Sequence, residues 1–358
     1  MNVATLTLPL HPNYGATLQA YALQQAISRL GYTCKVIDVE RNALRSTPRR
    51  ILYNLRQLFT EGRIDDNKDY GNEKFRNFIV NELSLTAKVS KSQDFKRKDI
   101  LSFDAYVVGS DQVWRPSYAI NVKRYYFDFA PLKAKKISYA ASFGTDFWEY
   151  SNDLKTKCKY YLDRFSRVSV RESGGMKNCK DHFDIDTKFV LDPTLLIERT
   201  NYNNIIEKYA NGSSIPKVYA YILDQSIEKL STIKEFDSES VVANEGLNDS
   251  AKMGLGDWLK NIRDTSFFIT DSFHGVVFAI IFNKQFVAIG NAKRGLSRFQ
   301  SVLATFGLEE RLILDDSLSV ESLIKIREKE IDFGFTNEKK DHLVKESISF
   351  LKNSLSSD

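Results

Sequence analysis

Four stretches of the chain combine residue types that could bind an anion or move a proton. Thr270-Asp271-Ser272-Phe273-His274-Gly275 offers a carboxylate, a hydroxyl and an imidazole in close succession. An imidazole titrates near neutral pH, so His274 can hold a phosphate or carboxylate when protonated and act as a general acid or base. Asp111 follows Gly109-Ser110, a place where a carboxylate can take a hydroxyl proton. Arg171, in Val168-Ser169-Val170-Arg171-Glu172, carries the planar fork that binds phosphate or carboxylate bidentately. Asn13 and Gly15, in His11-Pro12-Asn13-Tyr14-Gly15, could hold an anion or a sugar hydroxyl at a helix N-terminus. Each has a plainer role as well. Asp271 could cap a helix, Asp111 could cap a loop and Arg171 could pair with Glu172.

The elements that must position these residues alternate between strand and helix. Phe267-Phe268-Ile269 has the apolar character of a buried parallel strand. Asp271 and Ser272 are both good N-caps for the apolar helix that follows to about Phe282, and Phe286 to Ile289 is the next strand. His274 therefore falls at the carboxyl end of a strand in a β-α-β unit, where open α/β sheets place ligands. The chain opens in the same way: a strand over Val3 to Leu8, a helix ending at Leu30 and a strand over Tyr32 to Val39. In that helix Leu18, Ala22, Ala26 and Leu30 share a face, flanked by Leu23 and Ile27.

Residues 41–95 break the rhythm with a basic helical excursion containing Arg41, Arg45, Arg49, Arg50, Arg56 and Arg63. Its plain role is a solvated face; its functional one is contact with lipid headgroups or a diphosphate-bearing acceptor. Alternation resumes with strands at Ala105 to Gly109, Lys136 to Ala141, Arg167 to Glu172 and Phe189 to Pro193. Strands at Lys217 to Leu223 and Glu239 to Ala243 follow, with helices at Gln225 to Lys234 and Gly256 to Asp264. Lys293 and Arg294 lie in a loop, and a helix starts at Ser297-Arg298. Further helices cover Val320 to Glu328 and Glu338 to Leu355, the last expected to pack back on the first half. The fold class is α/β with two Rossmann-like domains, 1–165 and 166–358, meeting between Tyr150 and Pro193. The first loop lacks GxGxxG and GxxxxGK, so neither a dinucleotide nor a P-loop nucleotide site is supported.

The 358 residues suffice for two cores. A net charge of +5 suits anionic small ligands or a phospholipid surface and falls short of a nucleic-acid-binding signature. Cys34, Cys158 and Cys179 are widely spaced, and the four histidines form no HxxxH or HExxH pattern, so no metal site is expected. The first residues lack a signal-peptide pattern and no apolar run is long enough to span a bilayer. A cytoplasmic location, extending to the inner face of the membrane, is the expectation.

Five stretches in order resemble the polysaccharide pyruvyl transferase family. They are Asn13-Tyr14-Gly15-Ala16-Thr17-Leu18-Gln19-Ala20-Tyr21-Ala22-Leu23; Phe103-Asp104-Ala105-Tyr106-Val107-Val108-Gly109-Ser110-Asp111-Gln112-Val113-Trp114; Ser169-Val170-Arg171-Glu172; Thr270 to Gly275; and Ser297-Arg298 with Phe306-Gly307-Leu308 and Arg311. The resemblance implies two domains arranged as in GT-B glycosyltransferases, with the site in a central cleft. Residues 1–165 would serve the acceptor and 166–358 the donor. It implies phosphoenolpyruvate as donor, no cofactor, and an acceptor sugar or lipid-linked oligosaccharide of exopolysaccharide biosynthesis that receives pyruvate as a cyclic ketal. It assigns Asp111 to the acceptor and Arg171 and His274 to the donor. Many members read Ser-Arg-x-His-Gly; here Ser272 stands at the arginine's position, leaving Arg298, Arg294 or Lys293 to supply the charge. Two other readings stay open: a GT-B glycosyltransferase using a nucleotide-sugar, and a non-catalytic protein that binds anions or glycans.

Overall fold

Short apolar runs ending at Gly, Ser, Thr or Asp become the strands of two parallel sheets. The computed structural model describes residues 1–44, 72–145, 147–212, 215–243, 253–291 and 295–356. The chain divides into two compact units: Met1–Phe143, Phe147–Pro193 and Ser347–Asp358 form the first, and Gly144–Asp146 with Thr194–Glu346 the second. The division falls at Pro193. It keeps residues 166–193, and so Arg171, with the first unit.

The first unit contains β1 (Asn2–Leu6), α1 (Tyr14–Arg29), β2 (Thr33–Val36), α2 (Glu73–Glu82), β3 (Ala105–Val108), β4 (Lys135–Ala141), α3 (Asn152–Leu162), β5 (Arg167–Val170), α4 (Ser173–Phe183) and β6 (Lys188–Phe189). Its sheet order is β2-β1-β3-β4-β5-β6, with parallel pairing throughout. The chain lays β2 on one side of β1 and returns to lay β3 on the other. The connections leaving β1 and β3 therefore diverge, which opens a crevice at their carboxyl ends, the usual ligand position in such sheets.

Helix α1 departs from the expected single buried face: Tyr14 to Gln24 are all buried, with Ala26 and Ile27. The reason is α2. Its Phe75 and Phe78 pack against Tyr14 and Tyr21, tilted and edge-on, with ring centroids 5.2 and 5.7 Å apart, covering the side that the sheet does not. Part of the 41–95 excursion is thus structural, and Leu85 and Val89 form bridges to Val36 and Val39 beside the sheet. Arg45, Arg49, Arg50, Arg56 and Arg63 lie outside the described residues. The end of the last helix joins this unit as expected: Ser347 Oγ accepts from Leu191 N at 3.0 Å, and Leu351 and Leu355 are buried.

The second unit contains α5 (Arg199–Tyr209), β7 (Val218–Tyr221), α6 (Ile227–Phe236), β8 (Val241–Ala243), α7 (Leu255–Asp264), β9 (Phe267–Thr270), α8 (Phe273–Ile281), β10 (Phe286–Gly290), α9 (Leu296–Phe306), β11 (Leu312–Leu314), α10 (Val320–Glu328) and most of α11 (Phe333–Leu355). Its order, β11-β10-β9-β7-β8, repeats the same winding, so the diverging pair is β7 and β9. Strand β11 is too short to show a period in the sequence. Helix α11 begins before Glu338, at Phe333, where Asp332 Oδ1 accepts from Gly334 N at 2.8 Å and caps the start.

Candidate functional site

In the first unit the charged residues gather at the carboxyl edge of β3, β5 and β6. Arg171 leaves the end of β5 with its side chain 1% exposed. Its Nη1 donates to Asp192 Oδ2 at 2.7 Å and to Ser110 Oγ at 3.0 Å, and Ser110 Oγ itself donates to Asp192 at 2.7 Å. Asp111 Oδ1 is 3.8 Å from Nη2 and Glu172 Oε2 is 3.7 Å from Nε. Three carboxylates from three strand ends thus surround one guanidinium. Burial opposes the charge of Arg171, but Asp192, Glu172 and Asp111 prevail and hold its pKa above the ordinary value.

Asp111 has a φ of +79°, a conformation that costs a non-glycine residue about 1 kcal/mol. The surrounding hydrogen bonds enforce it. Its carbonyl accepts from Ser142 N at 3.1 Å, and Trp114 N donates to Ser142 O at 3.1 Å, which ties the turn after β3 to the end of β4. The Tyr125 hydroxyl is buried without a hydrogen-bond partner. Burial, and then the Asp111 carboxylate, push that phenol well above its ordinary pKa. Asn13 caps α1 by accepting from Ala16 N at 2.8 Å, and Gly15 is buried in the first turn. Both lie on the connection that leaves β1, at the sheet edge where Thr7 Oγ1 donates to Ser110 O at 3.0 Å.

In the second unit, β9 turns into α8 through Thr270 to Gly275. Ser272, not Asp271, is the N-cap, accepting from Gly275 N at 3.3 Å. Asp271 instead spans the crevice between β9 and β7, taking Leu223 N at 2.6 Å and Asp224 N at 2.9 Å. Burial raises the pKa of its carboxyl, against the pull of these two donors. Lys229 Nζ lies 3.6 Å from Asp271. Gly275 is required by packing: a Cβ there would lie 2.4 Å from Thr270 Oγ1.

His274 sits in the first turn of α8, 8% exposed and edge-on to Phe273 with centroids 5.3 Å apart. The Arg298 guanidinium is 5.9 Å from the Phe273 ring centre. Gly295, at φ +77°, lets it fold back, since a Cβ there would lie 2.9 Å from Arg298 Nε. The structure therefore brings Arg298 beside the turn where Ser272 replaces the expected arginine. Lys293 and Arg294 lie outside the described residues. Helix amides, an imidazole and a guanidinium at one helix N-terminus can bind a phosphate or carboxylate and deliver a proton to it.

Sequence reasoning missed Asp192 and Lys229. Asp192-Pro193 read as a strand end, and Lys229 sits on a helix with nothing to mark it as buried. Among the described residues no group of three or more His, Cys, Asp or Glu side chains is placed to hold a metal ion. No helix among them is long and apolar enough to cross a membrane.

The family model described as polysaccharide pyruvyl transferase matches residues 13–293, which include Asp111, Arg171, Ser272 and His274. No curated protein matches the chain. Among solved structures it is similar to a UDP-GlcNAc 2-epimerase from Neisseria meningitidis bound to UDP-GlcNAc, at 12% identity over 97% of this chain and 94% of that one, with a TM-score of 0.48. It is also similar to a glycosyltransferase from Rickettsia africae, at 11% identity over 100% and 99% of the two chains, with a TM-score of 0.46.

Proposed function

Because the chain belongs to the polysaccharide pyruvyl transferase family, we propose that it moves the pyruvyl group of phosphoenolpyruvate onto a sugar of a cell-surface polysaccharide precursor. The observation that carries this reading is the N-terminus of α8, where His274 lies in the first turn and Arg298 stands by Phe273. A donor bearing a phosphate and a carboxylate needs this kind of cationic and N–H surface.

Protonation of the enol methylene makes a methyl group and leaves an oxocarbenium-like carbon. One sugar hydroxyl adds there, phosphate departs, and a second hydroxyl closes the cyclic ketal. Of the two hydroxyl protons released, one balances the new methyl group and the other leaves with phosphate. His274 serves the donor, as the acid toward the methylene or toward the departing phosphate. Asp111 accepts an acceptor hydroxyl proton, and Arg171 keeps Asp111 and Asp192 in place rather than meeting the donor alone. Ser272 caps the helix and fixes its start, and Asn13 and Gly15 lie on the acceptor side. The acceptor is a sugar or lipid-linked oligosaccharide met at the cytoplasmic face of the membrane, with the basic 41–63 stretch toward the headgroups.

The test is phosphate release from phosphoenolpyruvate with a panel of sugar acceptors, paired with thermal denaturation. A saturating preferred donor at a hundred times its Kd should stabilise the fold by about 2.7 kcal/mol. Stabilisation by a UDP- or GDP-sugar and not by phosphoenolpyruvate would turn the reading to glycosyl transfer. His274→Ala should lower turnover about 100-fold or more while leaving the melting temperature near that of the parent.

A further inference from the structure

A second feature of the carboxyl edge in the second unit is a cavity of about 520 Å3 whose lining does not include His274. Its walls come from α6 (Glu228, Lys229), the end of β10 (Asn291) and the stretch through and after β11 (Leu314, Asp315, Asp316). The volume is in the range of small-molecule sites, about 300–1,000 Å3, and carboxyl ends of strands are where such sheets bind ligands.

The floor is built from an ion network around a buried lysine. The Lys229 side chain is 2% exposed; its Nζ lies 3.1 Å from Asp315 Oδ1 and 3.6 Å from Asp271 Oδ2, and donates to Asp224 O at 2.9 Å. Asn291 Nδ2 donates to Asp224 Oδ2 at 3.0 Å, which links the end of β10 to the turn after β7. A buried lysine is costly unless paired, and here the pairing holds Asp315 against the cavity wall.

The lining also selects by charge. Among the described residues Glu228, Asp315 and Asp316 outnumber Lys229, whose ammonium already faces Asp315 and Asp271. A phosphate or diphosphate would be repelled, so this is a poor place for the donor. Carboxylates accept hydrogen bonds from hydroxyls and from ammonium groups, while Leu314, 40% exposed, offers an apolar patch for the C–H face of a sugar ring.

We propose that this cavity is a saccharide subsite selective for a neutral or amino sugar, and that it holds a unit of the acceptor glycan away from the reacting hydroxyls. The glycan role rests on the function proposed above; the binding itself does not.

The experiment uses the full chain without phosphoenolpyruvate and measures binding of glucosamine, N-acetylglucosamine and glucuronate by saturation-transfer NMR and titration. Glucosamine should bind tightest and glucuronate weakest. The Glu228→Gln, Asp316→Asn double variant should weaken glucosamine about tenfold and erase the preference over glucuronate. Both side chains are exposed, so the variant keeps its fold, checked by an unchanged melting temperature. Absence of binding by all three sugars, glucuronate binding as well as glucosamine, or unchanged affinities in the variant would overturn the subsite. If the sugars bind as expected but no pyruvyl transfer occurs with any acceptor, the subsite stands and the transferase reading falls.

Discussion

At the scale of single residues, Arg171 illustrates how a cation suited to a substrate can be committed to its own protein. Its guanidinium serves Asp192 and Ser110 directly and lies within 4 Å of Asp111 and Glu172. Lysine would keep the charge and lose the fork. Arg171→Lys should therefore destabilise the protein by about 2 kcal/mol in urea unfolding and lower transfer activity through the displaced Asp111. Asp192→Ala removes the nearest of the buried acids and should cost about 3 kcal/mol in the same measurement. Asp271→Ala leaves Leu223 N and Asp224 N without their acceptor and takes one partner from Lys229, with an expected loss of about 2–4 kcal/mol.

At the scale of elements, the contact between β9 and α8 sets where His274 stands. Ser272 fixes the helix start, Thr270 Oγ1 accepts from Ser272 N and donates to Tyr221 O, and Gly275 lets the helix lie against the strand. Gly275→Ala drives a methyl against Thr270, so α8 must move. Melting curves should show a loss of about 1–3 kcal/mol, and activity should fall further than stability accounts for. By contrast α1 is held from outside: α2 supplies the aromatic cover that lets nearly every residue of the first helix be buried.

At the scale of the whole molecule, the two units share one winding order and each carries charged groups at the carboxyl edge of its sheet. The net charge of +5 and the arginines of the 41–63 stretch motivate a prediction about location. Sedimentation with vesicles rich in anionic lipid should pull the protein down at low salt and release it as salt rises, at about 1 kcal/mol per contacting Lys or Arg. Equal binding to neutral vesicles, or binding indifferent to salt, would remove the membrane contact from the proposal.

The parts that depend on near neighbours were legible in the chain alone. Local pattern marked the helix Val320–Glu328 to the residue and placed strand ends at Gly109, Glu172 and Ile269, within two residues of where β3, β5 and β9 end, while the motif order identified the family. These are local properties, written within one turn of helix or one strand. Which groups meet across those ends was decided only by strand order. Ser110 and Asp192 are 82 residues apart and touch because β3, β4, β5 and β6 lie side by side. Asp271 reads as a cap until β7 is laid against β9, whose turn then offers it two backbone donors. Lys229 reads as an exposed helix residue until β11 brings Asp315 to its ammonium. A hydrogen bond or ion pair acts over a few ångströms, and only the tertiary structure determines which distant residues come within that reach.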